Sequence, residues 1–411
     1  MERYGCIGKK LTHSFSREIH ALLAPYNYEL IELDESEIAD FFAKKEFKAI
    51  NVTIPYKQTV MPYLDEISEV AKRIGAVNTI VNDGGKLRGF NTDYYGMKAL
   101  IERAKIDIKG KDVLILGTGG TSKTAVYVSL DLGAKSVKVV SRTASENYID
   151  YAQAQSLYSA SQIIINTTPV GMFPNCDATP IDLDKFSSVE GVIDAVYNPL
   201  NTDLVIKAKS RGIKASGGLF MLVKQAVVAV EKFLSVSISD EKTEQVYSAV
   251  LGDKENIVLT GMPSSGKSTI GKLIKLDGYE FIDTDEEIVK RCGCSIKELI
   301  ESRGEQYFRD IESEVIAQIS TQNRKIIATG GGAILRQENI AKLKRNGKIF
   351  FVDASLSRLV PTADRPLSND ETKLKKLYSE RIEIYKNTAD VIVPDASAQE
   401  MANYIINKRT E

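Results

Sequence analysis

The octapeptide Gly261-Met262-Pro263-Ser264-Ser265-Gly266-Lys267-Ser268 has the form G-x-x-x-x-G-K-[ST]. It stands between an apolar run, Ile257-Val258-Leu259, and a segment from Thr269 to Leu276 with the character of a helix. A strand aims such a loop, glycines admit backbone N–H groups to phosphate oxygens, and the helix N-terminus adds positive dipole. Gly261, Ser264, Ser265, Gly266 and Thr269 supply the cradle, Lys267 reaches the β/γ-phosphates, and Ser268 is placed to ligate Mg²⁺. The flanking strand and helix favour ATP or GTP binding over a merely structural glycine turn.

The loop starts only at residue 261 of 411, so another domain or two must precede it. Lys plus Arg number 54 against 55 acids, with no basic half to suggest nucleic acid and no acidic tail. No apolar run approaches the roughly 20 residues that span a bilayer, and the N-terminus runs into a strand rather than a signal peptide. A cytoplasmic protein with small-molecule partners is expected, with oligomeric state open. The four cysteines are scattered, and Cys292-Gly293-Cys294 lacks the second ligand pair of a zinc site. The only histidines are His13 and His20, so acid–base chemistry beyond residue 20 must rest on Lys, Asp, Glu, Tyr or Arg.

From the start of the chain, strand-like and helix-like stretches alternate as in an α/β sheet. Ser14 and Ser16 precede a helix, where either would serve as an N-cap. A third strand ends in Asn51-Val52-Thr53-Ile54-Pro55-Tyr56-Lys57, placing Thr53 and Lys57 at a carboxyl edge, where open α/β folds hold ligands. On this stretch alone Lys57 reads more readily as an ordinary surface lysine than as a functional one. Gly75-Ala76-Val77-Asn78-Thr79 and Phe90-Asn91-Thr92-Asp93 end extended segments in small polar side chains. A lysine and an aspartate held together can share a proton, as a ketone reduction without histidine or metal requires.

Strand Asp112–Leu116 breaks into Gly117-Thr118-Gly119-Gly120, followed by a helix and a strand ending in Ser141-Arg142-Thr143. The glycine fingerprint is incomplete, but the βαβ context carries it. Arg142 with two hydroxyls stands where an NAD-specific unit has an acid on the ribose, which points to a 2′-phosphate and NADP(H). Asn166-Thr167-Thr168 and Tyr197-Asn198-Pro199 end two further strands, and an apolar helix running to Leu234 offers Lys224 and Gln225 to a ligand.

These motifs, N-V-T-I-P-Y-K, G-A-V-N-T, F-N-T-D, G-T-G-G, S-R-T, N-T-T-P-V-G-M and M-L-V-K-Q, occur in the order found in shikimate dehydrogenases, which residues 1 to about 250 resemble. The resemblance implies that Ser14, Ser16, Thr53, Asn78, Asp93 and Gln225 hold the substrate with Tyr197 nearby, and that Lys57 and Asp93 are the catalytic pair. It also implies Thr167 and the Gly117, Gly119, Gly120 turn for NADP(H), in a two-lobed α/β enzyme. The substrate lobe would span 1–93 and about 230–252, with a Rossmann-like NADP lobe over about 94–229. Arg17 and Lys123 depart from the family pattern, and the segment Ser145 to Ser159 is short for the usual strand and helix.

A polar stretch, Gly252 to Asn256, reads as a linker. Beyond the phosphate loop, Asp283-Thr284-Asp285 ends a strand, where the first acid normally assists Mg²⁺ and the second can take an acceptor hydroxyl. Gly304 to Glu312 reads as helix, and Thr329-Gly330-Gly331-Gly332 leaves backbone N–H groups bare at a sheet edge. With D-R-P-L at Arg365 and R-x-x-x-Y at Arg381, residues 256–411 resemble shikimate kinase, a P-loop α/β domain with a parallel sheet. The resemblance implies Asp285, Arg309, Gly331, Gly332 and Arg381 for shikimate, and Lys267, Ser268 and Asp283 for ATP·Mg²⁺. It places Arg365 on the transferring phosphoryl group and Arg358 over the adenine. Together the two resemblances imply a bifunctional enzyme of aromatic amino acid biosynthesis. The rivals are a quinate-accepting dehydrogenase fused to another small-molecule kinase, and a nucleotide sensor with dead sites.

Overall fold

Apolar runs such as Val113-Leu114-Ile115-Leu116 and Ile257-Val258-Leu259 are fully buried, as strands covered on both faces must be. The computed structural model describes residues 3–11, 15–359 and 370–409. Ser14 and Arg365 therefore lie outside the described residues. The chain divides into two units, Met1–Val250 and Leu251–Glu411.

The first unit holds two sheets. In one, Tyr28–Glu32, Tyr4–Gly8 and Ala49–Val52 run parallel, and a hairpin of Thr79–Asp83 and Lys86–Phe90 extends them antiparallel. The plain alternation expected from the sequence fails at this hairpin for a local reason. Gly84 and Gly85 both take positive φ, giving the two-residue turn that matches strand twist and sends the chain straight back. The second sheet is parallel throughout, with Asp112–Leu116 flanked by Ile163–Asn166 on one side and Ser136–Ser141 on the other. Strand order reverses there, so a crevice opens beyond the carboxyl end of Asp112–Leu116, at Gly117. The short segment after it still supplies a strand, Ile149–Asp150, and a helix, Tyr151–Leu157, started by a capping box of Asp150 and Gln153. Helices Asp93–Arg103 and Leu219–Leu234 approach so closely that a Cβ on Gly96 would sit 2.6 Å from the Met221 carbonyl oxygen and 2.7 Å from Gln225 Cγ.

The stretch expected as a linker begins inside a helix and ends in a strand, Asn256–Thr260. Asp240–Lys254 is one helix, Gly252 lies inside it, and the division between units falls within it. The second unit has a single parallel sheet in the order Glu280–Asp283, Lys325–Ala328, Asn256–Thr260, Gly347–Val352, Val391–Val393. Order reverses around Asn256–Thr260, which places the phosphate loop at the switch point. The helix expected through Gly304 is broken there: within Ile296–Ser320, Gly304 adopts φ 85° and ψ 160°.

Candidate active sites

In the first unit, Lys57 and Asp93 come from different strand ends and meet in a buried ion pair, Nζ to Oδ2 2.5 Å, with Asp93 only 3% exposed. Asn78 Nδ2 donates to the other carboxylate oxygen at 2.9 Å and to Thr92 Oγ1 at 3.0 Å, while Asn78 Oδ1 accepts from the Thr92 N–H at 2.7 Å. Asn51 Nδ2 donates to Thr79 Oγ1 at 3.0 Å, and Tyr28 OH to Asn51 Oδ1 at 2.7 Å, which ties strand Ala49–Val52 into the same network. Charge at this site is therefore held by fixed partners, as preorganised catalysis needs. Thr53 lies against Gly8, whose Cβ would fall 2.6 Å from Thr53 Cγ2. Gln225 lies beside Gly96, one turn after Asp93. Tyr197 packs on Phe15 with ring centroids 5.2 Å apart, next to Ser16 in helix Ser16–Leu23.

The glycine turn reaches the same place. A Cβ on Gly120 would lie 3.6 Å from Lys57 Cδ, whereas one on Gly119 would meet nothing within 4 Å. Gly117 takes φ 105°, and its Cβ would meet Thr167 Oγ1 at 3.0 Å, a hydroxyl that donates to the Leu116 carbonyl at 2.6 Å. Open backbone at a helix N-terminus beside an ammonium suits a dinucleotide whose reactive end meets Lys57. Arg142 and Thr143 are exposed at the end of strand Ser136–Ser141, and Lys123 is exposed on the helix after the turn. An arginine flanked by hydroxyls there fits a 2′-phosphate.

Two further buried groups are shifted by burial in opposite directions. Burial lowers the His20 imidazole to about 3 and raises the Asp194 carboxyl to about 7, the latter despite hydrogen bonds from Thr202 Oγ1, the Val196 N–H and Asn166 Nδ2. With the folded value below the unfolded one, the His20 contribution is complete above about 6.5 and is lost as pH falls toward about 3. With the folded value above the unfolded one, the Asp194 contribution is complete below about 4 and is lost as pH rises through about 7. Each linkage is worth about 1.4 kcal/mol per pH unit inside its window. Relative to the wild type, Asp194→Asn should lose stability on acidification between about pH 6.5 and 4.5, and His20→Phe should gain it, each by about 2–3 kcal/mol. Urea unfolding over a pH series measures both, and identical pH slopes in all three proteins would sink the assignment.

In the second unit, Gly261 (φ 150°), Ser264 (φ 64°) and Gly266 (φ 89°) curl the phosphate loop. Ser264 is held in a conformation that side chains avoid, the strain common at ligand clamps. Lys267 is 8% exposed, and its Nζ donates to the Gly261 and Met262 carbonyls at 2.9 and 2.8 Å. Ser268 Oγ donates to Asp283 Oδ2 at 2.5 Å, and the Asp285 N–H to Asp283 Oδ1 at 2.9 Å. Adjacent hydroxyl and carboxylate oxygens are hard donors that suit Mg²⁺. Ser265 is buried against Gly261, and Thr269 continues helix Lys267–Leu273.

Asp285 turns to the glycine loop, where a Cβ on Gly330 would lie 2.6 Å from Asp285 Oδ1 and 2.8 Å from Glu312 Oε1. A Cβ on Gly331 would lie 2.8 Å from Pro263 Cδ, and one on Gly332 would overlap the Arg309 guanidinium. The glycine loop thus abuts the phosphate loop, and only glycine permits the approach. Arg381 Nη1 donates to the Gly331 carbonyl at 2.9 Å. Arg358 ion-pairs with Asp395 and donates to the Ala396 carbonyl at 2.8 Å.

Glu312 escaped the sequence reading. Its Oε2 accepts from Arg309 Nη1 at 2.8 Å, its side chain is fully buried, and its Oε1 has no hydrogen-bond partner among the described residues. Burial pushes this carboxyl up while the guanidinium pulls it down. A signal was present: Phe308, Ile311, Val315, Ile316 and Ile319 form the core-facing stripe of their helix, and Glu312 falls inside it.

Comparison with known proteins bears on each unit separately. The family model "Shikimate dehydrogenase substrate binding domain" matches residues 6–80, and "Shikimate kinase" matches residues 263–410. The shikimate dehydrogenase (NADP(+)) of Clostridium beijerinckii is 38% identical over 263 residues, 60% of this chain and 97% of that protein. Its counterpart in Geobacillus kaustophilus is 36% identical over 252 residues, 56% of this chain and 91% of that protein. A chorismate mutase/shikimate 5-dehydrogenase fusion from Clostridium acetobutylicum has a TM-score of 0.57 at 33% identity, covering 61% of this chain and 97% of that one. The Thermus thermophilus shikimate 5-dehydrogenase, solved with NADP(H) and shikimate, has a TM-score of 0.53 at 27% identity, covering 61% and 99%. Among the described residues no helix is long and apolar enough to cross a membrane. The chain belongs to the shikimate dehydrogenase family and carries a shikimate kinase domain behind that unit, which makes it a bifunctional enzyme of the shikimate pathway.

Proposed function

We propose that the chain reduces 3-dehydroshikimate to shikimate with NADPH and then phosphorylates the 3-hydroxyl of shikimate with ATP and Mg²⁺. The observation that carries this reading is the buried Lys57–Asp93 pair set against Gly120 of the nucleotide turn. NADPH, when bound, supplies the hydride. Lys57 donates a proton to the alkoxide that forms, Asp93 holds the ammonium in place, and Asn78 fixes Asp93. Thr53, Gln225, Ser16 and Tyr197, with Ser14, orient the ring. The substrate lobe would comprise 1–93 and about 230–252, the NADP lobe about 94–229, and the kinase 256–411.

In the second unit, Ser268 and Asp283 would hold Mg²⁺, which neutralises phosphate charge when bound. Lys267 and the loop N–H groups orient the phosphates, and Asp285 takes the proton of the attacking hydroxyl. Arg309 and Arg381 receive the substrate carboxylate, Gly331 and Gly332 line its ring, and Arg365 would meet the transferring group. Small molecules are the only partners this scheme requires.

The test is ADP release by the full chain with ATP, Mg²⁺ and 3-dehydroshikimate, with and without NADPH. ADP appearing only as NADPH is consumed is the expected result. NADPH consumption without ADP would mean that the second unit acts on something else.

A further inference from the structure

Arg381 and Tyr385 are four residues apart on helix Glu371–Thr388 and so share one face. Both side chains end on the same atom: the Gly331 carbonyl oxygen accepts from Arg381 Nη1 at 2.9 Å and from the Tyr385 hydroxyl at 2.5 Å. Two donors occupy both lone pairs of that oxygen. The tyrosine ring is fully buried and stacks on Phe351 of strand Gly347–Val352, with centroids 5.1 Å apart and planes 1° from parallel. Burial raises its phenol, so the hydroxyl remains a donor. The glycine loop is thereby fastened through one carbonyl to a helix and to the sheet behind it.

That fastening has a consequence on the opposite side of the peptide. The Gly331–Gly332 bond is trans, so locking the Gly331 C=O turns the Gly332 N–H the other way. The Gly330 N–H is spent on Thr284 Oγ1 at 2.9 Å, whereas those of Gly331 and Gly332 donate to no protein acceptor among the described residues. Gly332 also carries the Arg309 guanidinium directly over its Cα. The orientation of one peptide plane therefore sets both a free donor and the floor beneath an anion-binding arginine.

We propose that Tyr385 is a positioning residue for the shikimate site: its hydroxyl, with Arg381, locks the Gly331 carbonyl so that the Gly332 N–H and Arg309 are held ready for the polyol acid. The proposal rests on the kinase reading of the second unit. It assigns the tyrosine a role in acceptor affinity, separate from nucleotide binding and from the phosphoryl transfer step.

The variant is Tyr385→Phe in the full-length protein, which keeps the ring and its stack on Phe351. ADP formation is followed chromatographically at varied shikimate without nicotinamide nucleotide, so that the first unit stays silent. Loss of one hydrogen bond that holds a polar loop predicts a KM for shikimate raised about tenfold, with kcat and the KM for ATP within about twofold of the wild type. The KM for ATP and the thermal midpoint guard against general damage, because a collapsed loop moves them too. A shikimate KM within about twofold of wild type, or an equal rise in both KM values, overturns the proposal. Wild-type protein that forms no ADP with shikimate overturns the kinase reading itself, and the proposal with it.

Discussion

Replacing Lys57 with Met should lower kcat for NADPH-dependent reduction by about 10³-fold, within the range of about 10²–10⁴ for a positioned general acid. Phosphorylation of added shikimate by the same polypeptide should be unchanged. Methionine keeps most of the stem that packs in the site, where the lysine side chain is 14% exposed, so the loss reads the ammonium rather than a cavity. Asp93 keeps its bond from Asn78 but loses its charge partner. A buried acid left alone costs about 3–5 kcal/mol, so the urea midpoint of the first unit should fall as well. The double variant Lys57→Met/Asp93→Asn separates the two effects: neutralising the orphaned acid should recover stability without restoring reduction. NADPH absorbance at saturating 3-dehydroshikimate measures the rate, and a single-variant loss under about tenfold would remove Lys57 from the chemistry.

The residues of this pair are legible because both stand at strand ends, and strand ends in α/β sheets carry function. Their meeting is not legible, since 36 residues and a hairpin separate them. The hairpin went unread, because its antiparallel sense rests on the positive φ of Gly84 and Gly85. The phosphate loop, Ser268 and Asp283 follow from local spacing, because a loop and the tip of the next strand along the chain suffice to bring them together. Glu312 follows the opposite logic. Periodicity places it on the core-facing stripe, but its link to Arg309 and Gly330 shows only once the fold brings the glycine loop beside that stripe. Tyr385 is visible as part of R-x-x-x-Y, yet its hydroxyl partner lies 54 residues away. Helix Asp240–Lys254 shows the converse error: a Gly-Asp-Lys sequence reads as a break, but one glycine costs only about 1 kcal/mol in a helix.

Asp285→Asn should lower kcat for phosphorylation by about 10²–10³-fold, with the KM for ATP and the rate of 3-dehydroshikimate reduction unchanged. Asp283 and Asp285 are two residues apart yet point to different tasks. Asp283 accepts from Ser268 Oγ and from the Asp285 N–H, which keeps it beside the phosphate loop, where the proposed scheme puts Mg²⁺. Asp285 sends its carboxylate to Gly330, beside the loop that lines the acceptor. Asparagine keeps that shape and can still accept a hydrogen bond, but it cannot take the proton of the attacking hydroxyl. Glu312 is near enough to invite compensation, since its Oε1 lies against the same glycine. It is poorly suited to the task, because its other oxygen is bound to Arg309 and its burial favours the protonated form, which cannot accept a further proton. Adding Glu312→Gln to Asp285→Asn should therefore leave kcat near that of the single variant while raising the KM for shikimate through a loosened Arg309. A further drop of about tenfold or more in kcat would show instead that the two carboxylates share the proton.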